Sequence, residues 1–89
     1  MIDEKVISDY LEQLLKLKPD ELMPALTNDL LTEVSTIMLV SHYLHVSTKQ
    51  PRPIDTDKFQ SLLMDIREHA RVLAAMITAA REYDRIKKG

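Results

Sequence analysis

The sequence contains no cysteine, no tryptophan, only one glycine, and no long run of apolar residues. Without cysteine, the chain cannot form a disulfide or a cysteine-ligated zinc or iron–sulfur site. A single glycine excludes the glycine-rich loops that bind phosphates and dinucleotides, and it disfavours tight hairpin turns. The absence of an apolar run of about 18 residues predicts that no helix spans a membrane. These absences leave an all-α protein as the expected fold class.

The charge pattern excludes a further class of partner. The net charge of the 89 residues is −2, divided into −5 over residues 1–33 and +3 over residues 34–89. Neither segment has the basic stripe that binding to a nucleic-acid backbone requires, and few aromatic rings are present for stacking on bases. The acidic start of the chain, from Met1 to Glu4, is unlike a signal peptide. We therefore expect no nucleic acid, no membrane and a cytoplasmic location.

Two proline-containing breaks divide the chain into three predicted helices. Pro19 disfavours helix in the residue before it and suits the first turn of the helix that follows. The second break, residues 47–53, contains two prolines, and Asp55 just beyond it is a good N-cap residue. The predicted helices of this single domain, residues 1–89, span about residues 2–17, 20–47 and 55–87.

The length of these helices predicts a homodimer. The second and third helices are roughly 42 and 50 Å long, and the short loop between them favours an antiparallel hairpin. The short first helix covers only part of one end, so a two-fold dimer would bury the remaining apolar surface by pairing two hairpins into a four-helix bundle. The dimer seam is expected at residues Leu30, Ile37, Phe59, Leu62, Ile66, His69, Leu73 and Met76.

The residue types that carry catalysis do not occur in catalytic patterns. His42 and His45 lie three residues apart and could share a metal ion, but no carboxylate in the adjacent turns completes a ligand set. Two solvated histidines near a helix C-terminus are the favoured interpretation. His69 is expected to be a packed seam residue, and no serine lies in a strained turn. We therefore predict no catalytic residue, no metal and no cofactor.

Residues 27–37 read Thr-Asn-Asp-Leu-Leu-Thr-Glu-Val-Ser-Thr-Ile. This segment resembles the H-box of sensor histidine kinases, whose consensus is roughly S-H-E-L-R-T-P-L-T-x-I, on the first helix of their dimerisation and phosphotransfer domain. The apolar spacing of the third helix is similar to that of the second helix of that domain, so the resemblance covers about residues 20–86. It implies an antiparallel hairpin that dimerises into a four-helix bundle.

Two departures from the consensus change what the resemblance implies. Asn28 stands where the family has its phosphoacceptor histidine, and an amide nitrogen is not nucleophilic, so the chain cannot accept a phosphoryl group there. Glu33 stands where the family has a proline that kinks the helix. The resemblance therefore implies a kinase-dead relative of the hairpin, serving as a non-catalytic dimerisation and protein-interaction module in bacterial two-component-type signalling.

In the family, the outward side of the first hairpin helix binds the receiver domain of a response regulator. The resemblance thus implies a receiver domain or a kinase hairpin as partner, and Leu31 and Met38 could instead pack under the first helix. The predicted partner-binding residues are Asn28, Leu31, Thr32, Ser35, Met38 and His42.

Two alternative functions remain open. Asp29 and Thr32 occupy positions at which the family orients water for dephosphorylation of the receiver, so the chain could be an aspartyl-phosphate phosphatase. It could also be a small structural or assembly subunit whose partner supplies the missing core.

Overall fold

The computed structural model describes residues 4–50 and 55–88, and this part of the chain contains three α-helices and no strand. The helices are α1 (Glu4–Lys16), α2 (Pro19–Ser47) and α3 (Thr56–Lys88). The prediction of an all-α fold is therefore confirmed, and five of the six predicted helix ends lie within one residue of the observed ones. The predicted start of the first helix at Ile2 and the prolines of the second break lie outside the described residues.

Local interactions explain where the two long helices begin. Lys18 is extended, with φ −71° and ψ 153°, and Pro19 takes the first helical position. The backbone N–H of Lys18 donates to the carboxylate of Glu21 at 3.0 Å, which satisfies a donor at the start of α2. At the start of α3, the side chain of Asp55 accepts a hydrogen bond from the backbone N–H of Asp57 at 3.2 Å. The predicted capping role of Asp55 is confirmed.

The long helix α3 packs against both α1 and α2. Side-chain contacts join α2 to α3. Glu33 of α2 contacts His69 of α3, and Tyr43, ten residues later on α2, contacts Lys58, which is eleven residues before His69 on α3. On the other side, Val6 of α1 lines a small cleft with Val72 of α3. The first helix therefore lies against the later part of α3.

The core lies mainly at one end of the molecule. We refer to residues 4–33 and 68–88 as the three-helix end, and to residues 34–50 and 55–67 as the two-helix end. The buried apolar residues of the described chain are Leu14, Leu44, Ala75, Met76 and Ala79. Only Leu44 belongs to the two-helix end. The molecule measures 56 × 25 × 16 Å, so its smallest dimension is not much larger than the diameter of one helix with its side chains.

Within residues 4–50 and 55–88, no helix is both long enough and apolar enough to span a membrane.

Candidate interaction site

The outward side of α2 carries all six residues predicted to bind a partner. Each of them is exposed, although Leu31 and Met38 are large apolar side chains with 60% and 66% of their surface accessible. The alternative that these two residues pack under the first helix is therefore wrong. Thr32 and Asn28 are linked within the helix, because the Thr32 hydroxyl donates to the Asn28 carbonyl at 2.9 Å.

On one side of the layer formed by α2 and α3, α1 packs on α3 and reaches α2 through Tyr10. On α2 this side is marked by Asp29, which accepts a hydrogen bond from Tyr10, and on α3 by Val72, which faces Val6. Successive residues of an α-helix are about 100° apart, so the opposite side holds residues two, five or nine positions away from each marker. The rule places the charged residues Asp20, Arg67 and Arg81 on this side, and all three are exposed. Six residues of this side have exposed aliphatic or thioether side chains: Leu31, Val34, Met38, Leu63, Ala70 and Ile77.

We refer to these six residues as the uncovered face. All six are exposed, and the accessible fractions of the two α3 side chains Leu63 and Ile77 are both 45%. The six side chains are uncharged, although Arg67 lies between Leu63 and Ala70 and Arg81 lies one turn beyond Ile77. On α3 the face extends about 21 Å along the helix axis. Several exposed large apolar side chains on one side of two neighbouring helices are typical of a site that binds another protein.

Polar pairs join the three helices within the half-buried layer. The Tyr10 hydroxyl of α1 donates to Asp29 of α2 at 2.9 Å. Nδ1 of His69 on α3 lies 2.7 Å from a carboxylate oxygen of Glu33, whose side chain is only 18% exposed. Because an ionised carboxylate only accepts, His69 donates in this pair. Burial raises the pKa of Tyr10, and the hydrogen bond to Asp29 and the negative charge of Asp29 raise it further.

The two residues of the phosphatase alternative, Asp29 and Thr32, already have partners. The Asp29 carboxylate is half-buried and bonded to Tyr10, whereas Thr32 is exposed and bonded to the backbone of its own helix. The two side chains are separated by about 60° around the axis of α2. Asp29 faces α1, and Thr32 faces away from the core.

None of the eight residues predicted for the dimer seam belongs to the uncovered face. Met76 is buried, with 5% of its surface accessible, and the other seven residues are half-buried within the single chain. Glu33 and His69 are in contact at the same level, which places His69 between α2 and α3. The pairing of these eight residues across a dimer stays a prediction.

The three histidines have different surroundings. His42 and His45 are exposed near the end of α2, and His69 is half-buried beside Glu33. Among the residues that the structure describes, no three His, Cys, Asp or Glu side chains come together in a group that could hold a metal ion.

Sequence reasoning missed both interhelical polar pairs. A signal for one of them was present, because Glu33 falls between Leu30 and Ile37 in the three- and four-residue spacing of the inward-facing side of α2. A carboxylate at such a position needs a polar partner, and His69 occupies an equivalent position on α3. No comparable signal pairs Tyr10 with Asp29, since the choice depends on how α1 lies against α2.

Comparison with known proteins identifies no relative: no family model, curated protein or solved structure matches the chain.

Proposed function

We propose that the chain is a non-catalytic helical module that pairs with a second copy of itself through the uncovered face. In this proposal α2 and α3 act as an antiparallel hairpin, and two hairpins associate into a four-helix bundle. The α1 helices lie on the outer sides of this bundle. The observation that carries the proposal is the uncovered face itself, an exposed apolar surface of six residues on the side of the layer away from α1.

The accessible surface area of the single chain is larger than that of a compact monomer of the same mass, which supports an interface that the single chain leaves unoccupied. The accessible surface is 6951 Å², whereas a compact monomer of 10.3 kDa is expected to expose about 5,350 Å². The excess is about 1,600 Å², and a stable interface of standard size buries about 800 Å² on each partner. The chain therefore exposes more than enough surface for one such interface.

The residue types on the uncovered face also favour a second copy as the occupant. A two-fold interface brings the same surface of both copies together, so like charges on that surface would repel. The six residues of the uncovered face are uncharged, Arg67 and Arg81 on the same side of α3 would lie at the rim of such an interface, and Ala70 at the middle of the face lets a facing helix approach closely. The polar residues Asn28, Ser35 and His42 lie beside the face and are exposed.

The resemblance to sensor kinases implies a signalling context for this module. In that context the polar residues Asn28, Ser35 and His42 bind a receiver domain. Alternatively, the chain pairs with a kinase hairpin instead of its own copy. The phosphatase alternative has less support, because Asp29 faces α1 and already accepts the Tyr10 hydrogen bond. Its test is Mg²⁺-dependent loss of phosphate from a receiver domain, abolished by Thr32→Ala.

The dimer is tested with two isoleucines of the same helix and nearly the same exposure. Ile77 lies on the uncovered face and is 45% exposed, and Ile86 is 44% exposed. The two residues are nine positions apart, so they lie on opposite sides of α3. Sedimentation velocity on the full chain should give a dimer for the wild type and for Ile86→Lys, and a monomer for Ile77→Lys.

Circular dichroism should show that both variants remain helical. Two results would count against the proposal: a monomeric wild type at micromolar concentration, or an Ile77→Lys variant that dimerises as well as the wild type. A chain that is monomeric, melts at low temperature and sharpens its transition when a cell extract supplies a specific partner would instead support the third alternative, a structural subunit.

A further inference from the structure

Two exposed charged residues lie at the three-helix end, on the side of the layer opposite α1. Asp20 belongs to the first turn of α2, and Arg81 belongs to the last third of α3. Among the described residues, neither forms an ion pair within the chain. Both side chains leave the layer in the same direction, so a molecule that covers this side is the one that can pair with them.

The two charged residues lie at the same level along the layer. The helices α2 and α3 run in opposite directions, and Glu33 contacts His69. Asp20 lies thirteen residues before Glu33, and Arg81 lies twelve residues after His69. Because both helices rise about 1.5 Å per residue, the two charges are within about one residue of the same height.

A second copy can cover this side in two ways. A two-fold axis that brings the same surface of both copies together runs either along the helices or across them. With the axis along the helices, both hairpins point in the same direction, and α3 of one copy lies over α2 of the partner at the same level. With the axis across the helices, the hairpins point in opposite directions, so that α3 lies over α3 and α2 lies over α2.

The charges on this side favour the axis along the helices. In that arrangement Arg81 of each copy faces the partner's Asp20 at the rim of the interface, and the symmetry forms the ion pair twice. The two Arg67 side chains lie on diagonally opposite helices of the bundle. Their like charges are therefore well separated.

An axis across the helices loses these ion pairs. If it passes through the middle of the uncovered face, Arg81 lies beside the partner's Gln60, and Asp20 lies opposite the partner's His42. The two Arg67 side chains then lie on facing helices, about 9 Å apart along the bundle, and repel each other. This arrangement therefore places no acidic residue opposite Arg81 and brings two arginines together.

The apolar side chains fit the axis along the helices as well. At the same level across the interface, Ala70 faces the partner's Leu31, and Leu63 faces the partner's Met38. The smallest side chain of the uncovered face thus meets a large one in each half of the interface, as in well-packed cores. An axis across the helices would instead place Ala70 on Ala70 and Leu31 on Leu31, which pairs small with small and large with large.

We propose that the two copies of the dimer point in the same direction, and that the Asp20–Arg81 ion pairs between the copies select this arrangement. The arrangement rests on the proposed dimer, and it adds a polar contact that specifies the direction. Exposed ion pairs contribute little affinity on their own. Their effect here is on the choice between two arrangements that bury the same apolar residues, because only one of them pairs the charges.

The direction is measured with one spin label per chain. The chain has no cysteine, and Lys49 is exposed in the turn after α2, so Lys49→Cys places the label at the two-helix end. In the proposed dimer the two labels lie at the same end, less than about 30 Å apart, because neighbouring helix axes are only about 10 Å apart. In the opposite arrangement, centred on Leu31, they would be about 54 Å apart. Double electron–electron resonance distinguishes these distances.

Disulfide cross-linking gives a second readout, because it requires the two residues to face each other. After oxidation, a mixture of Ala70→Cys and Leu31→Cys chains should form a covalent dimer of one chain of each kind. Ala70→Cys chains alone should remain uncross-linked under the same conditions, since the two Ala70 residues lie on diagonally opposite helices. The opposite arrangement predicts the reverse result.

The role of the ion pairs is tested by exchanging their charges. Arg81→Asp brings two aspartates together at each contact and should raise the dissociation constant of the dimer about tenfold or more. Adding Asp20→Arg to this variant exchanges the two charges and should return the constant to within about threefold of the wild type. The control is Arg71→Asp, which makes the same charge change on the α1 side of α3, where Arg71 pairs with Glu68. Its effect should be less than about threefold.

Circular dichroism should show that all the variants remain helical. The arrangement is overturned if the labels are about 54 Å apart, if Ala70→Cys chains cross-link alone, or if the exchanged pair does not restore the affinity lost with Arg81→Asp. In each of these cases the molar mass remains that of a dimer, so the proposed function survives. A monomeric wild type would overturn both the arrangement and the dimer.

Discussion

The three-helix end and the two-helix end differ in what the same two long helices can bury. At the three-helix end, α1 packs on α3, and Leu14, Ala75, Met76 and Ala79 are buried. At the two-helix end, Leu44 is the one buried apolar residue among those described, although Leu39, Tyr43, Leu63 and Met64 are all exposed there. Apolar residues make up a similar fraction of the two ends. The contact with α1 therefore explains why more of them are buried at the three-helix end.

This difference shows why two packed helices do not make a core by themselves. Each helix can turn only part of its circumference toward one neighbour, and a helix with apolar residues on several sides needs more than one neighbour. The 13 residues of α1 are about 20 Å long, compared with about 50 Å for α3. The resulting molecule has most of its buried residues at one end and exposed apolar side chains at the other end and along one side.

The largest expected effect comes from removing a buried leucine at each end. Leu14→Ala should lower the free energy of unfolding by about 3 kcal/mol, because Leu14 of α1 is only 2% exposed and the surrounding side chains can relax only partly. Leu44→Ala, at the two-helix end, should cost about 2 kcal/mol, since its neighbours can move more freely into the space. Urea unfolding at one protein concentration measures both values. A larger loss for Leu44→Ala than for Leu14→Ala would contradict the conclusion that the core lies mainly at the three-helix end.

A smaller effect is expected at the boundary between the two ends, where Glu33 pairs with His69. Glu33→Ala should lower the free energy of unfolding by about 1.5 kcal/mol, because a half-buried histidine loses its charged acceptor. The control is Glu82→Ala, which removes the exposed carboxylate that pairs with Arg85 on α3. Thermal unfolding should not distinguish Glu82→Ala from the wild type. Equal losses for the two variants would show that the interhelical pair does not stabilise the boundary.

The smallest effect concerns the link between α1 and α2. Tyr10→Phe removes the hydrogen bond to Asp29 and should cost about 1 kcal/mol. Because the folded state raises the pKa of Tyr10 above its ordinary value of 10.0, it favours the neutral phenol. The stabilisation is therefore complete below pH 10 and is lost as the pH rises above that value.

Urea midpoints near neutral pH and above pH 10 should converge for the wild type and Tyr10→Phe as the pH rises. Tyr83→Phe is the control, since the phenyl ring keeps the contact with Lys87. A constant difference between the wild type and Tyr10→Phe at every pH would contradict the assigned role of the hydroxyl.

Much of the fold could be predicted because its signals are local. Pro19 and Asp55 act on the residues next to them, so the starts of α2 and α3 followed from the sequence to within one residue. The outward side of α2 followed from helical spacing, and its residues Leu31 and Met38 are exposed. The contact between Tyr10 and Asp29 could not be predicted, because it depends on the side of the layer to which α1 packs.

The same limit applies to the interaction surfaces. Periodicity identifies a row of apolar residues on each helix, but it does not say which row is used inside the chain and which stays exposed. Residues such as Ile66 and Ile77 look alike in the sequence, yet Ile66 is half-buried and Ile77 is exposed. The position of α1 decides this difference, and nothing local to α2 or α3 encodes it.

The central claim is that the chain is completed by a second copy at the uncovered face. Its most direct test is the molar mass of the wild-type chain by light scattering over a range of micromolar concentrations. The account predicts a mass that rises to twice the 10.3 kDa of one chain. A mass that stays at 10.3 kDa throughout this range, with the helices intact, would contradict it.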